Sequence, residues 1–165
     1  MTIDFARTRY TGPTDSIGYL LYQLAGLWRR QMNARLDDIG ITYIQFVFLI
    51  RLAWLTQDGG GVTQKDLGRD CKASRALTSQ VIRLLERNKL VRQTVKPDDA
   101  RARLLTLTAE GNRRLKRALP MLEATEDAFL TAQPKLKQRV RNDLSEALRQ
   151  EVAKLSAAEI DAGLD

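Results

Sequence analysis

Six polar side chains, Ser74, Arg75, Thr78, Ser79, Gln80 and Arg83, crowd one short stretch of the chain. Their types suit the reading of a duplex. Glutamine can hold an adenine edge through two hydrogen bonds, arginine a guanine edge, and hydroxyls can meet either bases or phosphates. A second set, Lys96, Asp99, Arg101 and Arg103, surrounds the turn Lys96-Pro97-Asp98-Asp99-Ala100-Arg101. A guanidinium on such a turn fits the narrow, negative minor groove and reads its shape. Lys96 and Arg103 would add phosphate contacts. Ser74 also suits a helix cap, Arg83 a phosphate contact, and Asp99 a turn residue after Pro97. Between Lys72 and Arg103 nine basic residues stand against three acidic ones, +6 of the chain's net +7. That clustering, with a sequence pI of about 9.9, is an electrostatic footprint for phosphate.

Other chemistries are excluded by what the chain lacks. It has no histidine, which removes His-based acid–base catalysis, Ser-His and Cys-His pairs and nearly every zinc site. Neither a metal nor a cofactor is expected. No carboxylate pair lies beside a Gly-rich loop or a nucleophile motif, so the chain does not read as an enzyme. The lone cysteine, Cys71, cannot form an intramolecular disulfide, which fits a reducing cytoplasm. Its neighbours Asp70 and Lys72 do not clearly depress its pKa, and a buried structural thiol is expected. There is no run of about 18 apolar residues, hence no membrane span, and Met1 to Gly12 lacks an apolar signal-peptide core. At 165 residues, 44% hydrophobic and 28% charged, the composition is that of one globular domain, alone or with an oligomerisation element.

The elements follow from periodicity. Residues 1–14 show none and read as an arm. From Asp15 or Ser16, a capped helix carries Ile17, Leu20, Leu21, Leu24, Leu27, Trp28, Met32 and Leu36 at three- and four-residue steps, ending at Gly40. Thr42-Tyr43-Ile44-Gln45 is a capping box opening an almost wholly apolar, buried helix to about Thr56. Asp58-Gly59-Gly60-Gly61 breaks the chain, and Thr63 caps a short helix with Asp66 at its positive end. Ser74 caps the next, Arg75 to about Asn88. Its buried stripe is expected to be Leu77, Val81, Leu84 and Leu85, opposite the polar set. Strands Leu90–Val95 and Arg103–Thr108 flank the basic turn. A long helix from Ala109 contains Pro120, which should kink or break it. After a boundary at Thr131 to Pro134, a last helix carries Leu136, Val140, Leu144, Leu148, Val152 and Leu155. Ser156–Asp165 is expected to fray. The fold class is thus mainly α with a small β-hairpin wing: a winged helix-turn-helix over residues 41–108, with long helices over 15–40 and 109–155 whose apolar stripes suit a dimer interface.

This arrangement resembles the multiple-antibiotic-resistance regulator (MarR) family of bacterial transcription factors over roughly Ser16 to Leu155. Asp99-Ala100-Arg101 followed by Leu107-Thr108-Ala109-Glu110-Gly111 resembles the family's Asp-any-Arg wing turn and its Leu-Thr-any-any-Gly helix entry. Thr78 to Glu86, running into Leu90-Val91, resembles its recognition helix, and Ile41-Thr42-Tyr43-Ile44-Gln45-Phe46 its Leu-Thr-any-any-Gln-Phe helix start. The resemblance implies a homodimer, most often a repressor, on a pseudopalindromic double-stranded operator. It gives Asp99 the role of orienting Arg101. It also implies a pocket between the dimerisation helices and the DNA-binding lobe for a small aromatic or phenolic effector. Tyr22, Trp28, Tyr43, Phe46 and Trp54 are the candidate pocket aromatics, or simply core. Arg29 and Arg30 could meet an effector carboxylate. Two rival readings stay open: a redox switch through Cys71, and a winged helix used for protein–protein contact.

Overall fold

A computed structural model describes residue 12 and residues 15–96, 99–131 and 138–161; the side chains of 96, 99–102, 129–131, 138–141 and 158–161 lie outside the description. The order of elements is α1 (Ile17–Leu36), a 3-10 turn (Asp37–Ile39), α2 (Tyr43–Leu55), β1 (Val62–Thr63), α3 (Gln64–Asp70), α4 (Arg75–Arg87), β2 (Val91–Lys96), β3 (Asp99–Leu107), α5 (Ala109–Thr131) and α6 (Gln138–Asp161). The expected arm over 1–14 and the boundary at 132–134 fall outside the described residues, Gly12 apart.

Local chemistry sets the boundaries. Ser16 accepts from the Tyr19 amide and starts α1. Gly40 sits at φ 65°, ψ 38°, in the left-handed region, and closes the 3-10 turn that the sequence pattern does not announce. The capping box is complete: the Thr42 amide donates to Gln45 Oε1 at 2.9 Å and the Gln45 amide to Thr42 Oγ1 at 3.4 Å. Thr63 accepts from the Asp66 amide at 3.1 Å.

The core gathers Met32 and Leu36 of α1, Phe46, Phe48, Leu49 and Leu52 of α2, Leu67 of α3, and Val81, Ile82 and Leu85 of α4. Ile39 and Ile41 before α2, Leu90 just ahead of β2, Val91 and Leu105 of the sheet, and Leu115 and Ala118 of α5 complete it. Two polar clamps fix elements around it. Arg51 of α2 grips Asp70 at the end of α3 with two hydrogen bonds, 2.5 and 2.8 Å. Arg114 of α5 donates to the carbonyls of Ile39 and Gly40 at 2.9 and 3.0 Å and to Glu110 at 2.9 Å.

The sheet has three antiparallel strands, ordered β1-β3-β2, where the sequence suggests two. The added strand is Val62–Thr63, pairing with Leu105 and Leu104. Gly61 allows the approach, since a Cβ there would lie 2.8 Å from Leu104 Cβ. Pairing in the hairpin runs Val91↔Leu107 to Val95↔Arg103 and then jumps to Lys96↔Asp99. Ala100, Arg101 and Ala102 therefore fall in a bulge, and β3 starts at Asp99 rather than Arg103.

α5 is continuous through Pro120, without the break that was one expected outcome. α6 continues past Ser156 to Asp161, so the helix outlasts the expected onset of fraying. Along α1, Ile17, Leu20, Leu21, Leu24 and Leu27 are exposed, and along α6, Leu144, Leu148, Val152 and Leu155.

Candidate nucleic-acid interface

The helix-turn-helix is α3 and α4. α3 ends at Cys71, Lys72 takes the left-handed conformation at φ 52°, and Ser74 caps α4 by accepting from the Leu77 amide at 3.3 Å. The two helices meet where Gly68 faces Thr78. A Cβ on Gly68 would lie 2.6 Å from Thr78 Oγ1, so α3 presents bare backbone there. Thr78 is 2% exposed, and its hydroxyl donates to the Ser74 carbonyl at 2.9 Å, the way a buried helical threonine satisfies itself.

This corrects two expectations. Thr78 is not available to DNA. Leu77, expected in the buried stripe, is instead 38% exposed, and Leu84 is half-buried. The buried face is Thr78, Val81, Ile82 and Leu85. A leucine does not fit against the α3 backbone, whereas a threonine does, so the helix is rotated by about one residue from the hydrophobic pattern.

The remaining candidates on α4 differ in exposure. Ser74, Arg75, Gln80 and Arg83 are exposed, and Ser79 is half-buried. Arg83 Nε donates back to the Ser79 carbonyl at 3.2 Å. Lys72, Arg87, Lys89, Arg92 and Arg103 are also exposed, so seven of the nine basic residues of the segment face solvent. Its one acidic side chain inside the description, Glu86, accepts from Gln93 Nε2 at 2.9 Å. The side chains of Lys96, Asp99 and Arg101 lie outside the described residues. Their backbone places Lys96 opposite Asp99, and Arg101 in the bulge.

The wing is anchored at its base by a device the sequence signals without explaining. Thr108 Oγ1 accepts from the Gly111 amide at 3.0 Å and donates to the Lys89 carbonyl at 2.6 Å, while the Thr108 amide donates to the Leu90 carbonyl at 3.0 Å. A Cβ on Gly111 would come within 2.1 Å of the Leu90 carbonyl oxygen. Leu-Thr-any-any-Gly is thus a helix cap and a backbone crossing in one motif, tying the exit of α4 to the start of α5. Lys89, at φ 57°, makes the turn from α4 into β2.

The candidate aromatics do not form one group. Phe46 is core. Tyr43 stacks on it with ring centroids 6.2 Å apart, and Trp28 is half-buried against the core. Tyr22 and Trp54 are 77% and 61% exposed. Arg29 and Arg30 are exposed. Cys71 is half-buried; burial first, and then the charge of Asp70, push its thiol up to about 12, against the opposing pull of Arg51. Among the described residues no group of three or more His, Cys, Asp or Glu could hold a metal, and no single helix is long and apolar enough to cross a membrane.

No family model matches the chain. The HTH-type transcriptional regulator YdcH of Bacillus subtilis is 33% identical to it over 144 residues, 87% of this chain and 97% of the relative. Among solved structures, the S. aureus MepR–DNA complex superposes with a TM-score of 0.74 at 22% identity, covering 84% of this chain and 98% of MepR. A MarR-family regulator from Rhodococcus sp. RHA1 gives 0.73 at 24% identity, with 85% and 94% covered. CouR of Rhodococcus jostii RHA1, bound to p-coumaroyl-CoA, gives 0.70 at 24% identity over the same shares. At these identities the structures share a fold with this chain.

Proposed function

The chain belongs to the MarR family of helix-turn-helix transcriptional regulators, and from that premise we propose that it is a cytoplasmic homodimeric repressor released from a pseudopalindromic operator by a small aromatic or phenolic ligand. The observation that carries the DNA-binding role is the exposed face of α4. Arg75, Gln80 and Arg83 stand there with the caps and clamps that hold the helix outward, inside a field of further exposed lysines and arginines. Phosphate contacts supply the affinity and base contacts the specificity. Arg101, on the bulge of the wing, enters the minor groove with Asp99 orienting it, and Lys96 and Arg103 hold phosphate.

The exposed apolar rows of α1 and α6 support the dimer. Leucines spaced along two long helices form stripes that a second copy would cover. An effector seated between these helices and the DNA-binding lobe, near Trp28 and Tyr43, would favour a separation of the two α4 helices that no longer matches successive major grooves. CouR, similar in fold, is bound to p-coumaroyl-CoA, which supports an aromatic acid or its thioester as the class to try. The raised pKa of Cys71 argues against the redox alternative.

Mobility shift against random duplex, followed by salt titration, tests the core of this proposal. Binding should weaken steeply with salt, and salicylate or p-coumarate should release the selected operator but leave weak random binding unchanged. A protein that ignores duplex DNA at low salt would be a winged helix for protein contact instead.

A further inference from the structure

Leu77 stands where the hydrophobic pattern asks for a core residue, yet the fold turns it outward. It lies on the first turn of α4, 38% exposed, with Ala76 exposed beside it. Gln80 follows Leu77 by three residues and Ala76 by four, so the three side chains form one patch of the helix surface. Around that patch the exposed side chains are Arg75, Arg83 and Arg87. An apolar side chain in the midst of a phosphate-seeking face gains nothing from phosphate. The major groove holds one apolar group it can meet, the C5 methyl of thymine.

We propose that Leu77, with Ala76 at its side, reads thymine methyl groups next to an adenine held by Gln80, so that each operator half-site carries A·T pairs beneath the first turns of α4. This rests on the DNA-reading role proposed above for α4. Side chains three apart on a helix have Cβ atoms about 5–6 Å from one another, and successive base pairs are about 3.4 Å apart. The methyl therefore belongs to a pair within about two steps of the one that Gln80 reads. The basic surround would supply the approach to the groove, and the leucine a contact that carries sequence information without a hydrogen bond.

The test pairs a change in the protein with removal of a single methyl from the DNA. Operator duplexes are first selected from a random pool with the wild-type dimer. Each thymine of the half-site is then replaced in turn by deoxyuridine, which lacks only the C5 methyl. Wild-type protein should lose about fourfold in affinity at one or two thymines per half-site, the worth of one buried methyl group. Leu77→Ser, at a position only 38% exposed, should stay folded with a melting temperature lowered by several degrees, and should bind thymine and deoxyuridine duplexes equally at those positions. A Leu77→Ser protein that still discriminates with the wild-type ratio overturns the proposal, as does a wild-type protein indifferent to every substitution. If selection yields no preferred duplex at all, sequence-specific DNA reading itself is lost and this inference with it. A selected site whose thymines do not matter removes the methyl contact alone.

Discussion

Thr78 and Leu77 show how a single side chain can set which way a recognition helix faces. Their order along the chain is polar after apolar, and the pattern alone assigns Leu77 to the core and Thr78 to DNA. The structure instead buries Thr78 and leaves Leu77 partly exposed, because Gly68 brings the α3 backbone to Thr78 Oγ1, where a small side chain that returns its hydroxyl to Ser74 fits. Nothing in the spacing of hydrophobic residues reports that approach; a glycine in the middle of α3, where it lowers helix propensity, is the one available signal. Gly68→Ala should consequently force α3 and α4 apart and cost about 1–3 kcal/mol of stability by overpacking, seen as a lower midpoint in urea. An unchanged midpoint would mean that the helices are free to shift there. Cys71 makes a second case at this scale. Its sequence neighbours Asp70 and Lys72 do not clearly depress its pKa, and burial, outweighing the pull of Arg51, carries it up to about 12. At pH 8 the folded protein should be alkylated by iodoacetamide at least about tenfold more slowly than the urea-unfolded chain. Equal rates would show the thiol open to solvent and reactive.

At the scale of elements, helix caps are legible in the sequence and close crossings are not. Ser16, Thr42, Thr63 and Ser74 all begin helices as their positions indicate, because an N-cap is a local device whose donor and acceptor lie three residues apart. β1 has no sequence signature because a two-residue strand has no period; it is defined by its partners Leu104 and Leu105, some forty residues on. The base of the wing lies between these cases. Thr108 and Gly111 stand out as a motif, but the reason for the glycine is a carbonyl of Leu90, far away in sequence. Gly111→Ala should push α5 off the exit of α4, destabilise the fold by at least about 1–3 kcal/mol, and weaken DNA binding through misplacement of the wing. Native binding and stability in that variant would mean that the crossing relaxes at no cost. The division of labour between wing and helix has its own signature. Arg101→Ala should weaken binding to all duplexes and lower the salt slope by about one unit, because one phosphate-neutralising cation is lost. Gln80→Ala should cost about 1–3 kcal/mol on the operator and much less on random DNA. If Arg101→Ala leaves both affinities untouched, the wing does not reach the duplex.

For the molecule as a whole, the exposed leucines of α1 and α6 pose the largest question. Two long helices, each with an apolar row facing outward, are costly to leave in water, and the amphipathic spacing that reveals them is plain in the sequence. What the sequence leaves unstated is the geometry of pairing, since a stripe says that something covers it and not at what angle. If a second copy covers it with two-fold symmetry, the two α4 helices must enter successive major grooves on one face of the DNA, about 34 Å or ten base pairs apart. Protection from cleavage should then appear as two inverted half-sites at that spacing. Light scattering at micromolar concentration should return twice the single-chain mass of 18.7 kDa. Leu144 is 44% exposed in the single chain, so Leu144→Asp leaves its fold intact and puts a charge in the interface. Dimer and operator binding should be lost together in that variant, while weak, salt-sensitive binding to random duplex persists through the lone lobe. A variant that becomes monomeric yet holds the operator as tightly as before would mean that one lobe suffices, and the two-fold model of recognition would have to be abandoned.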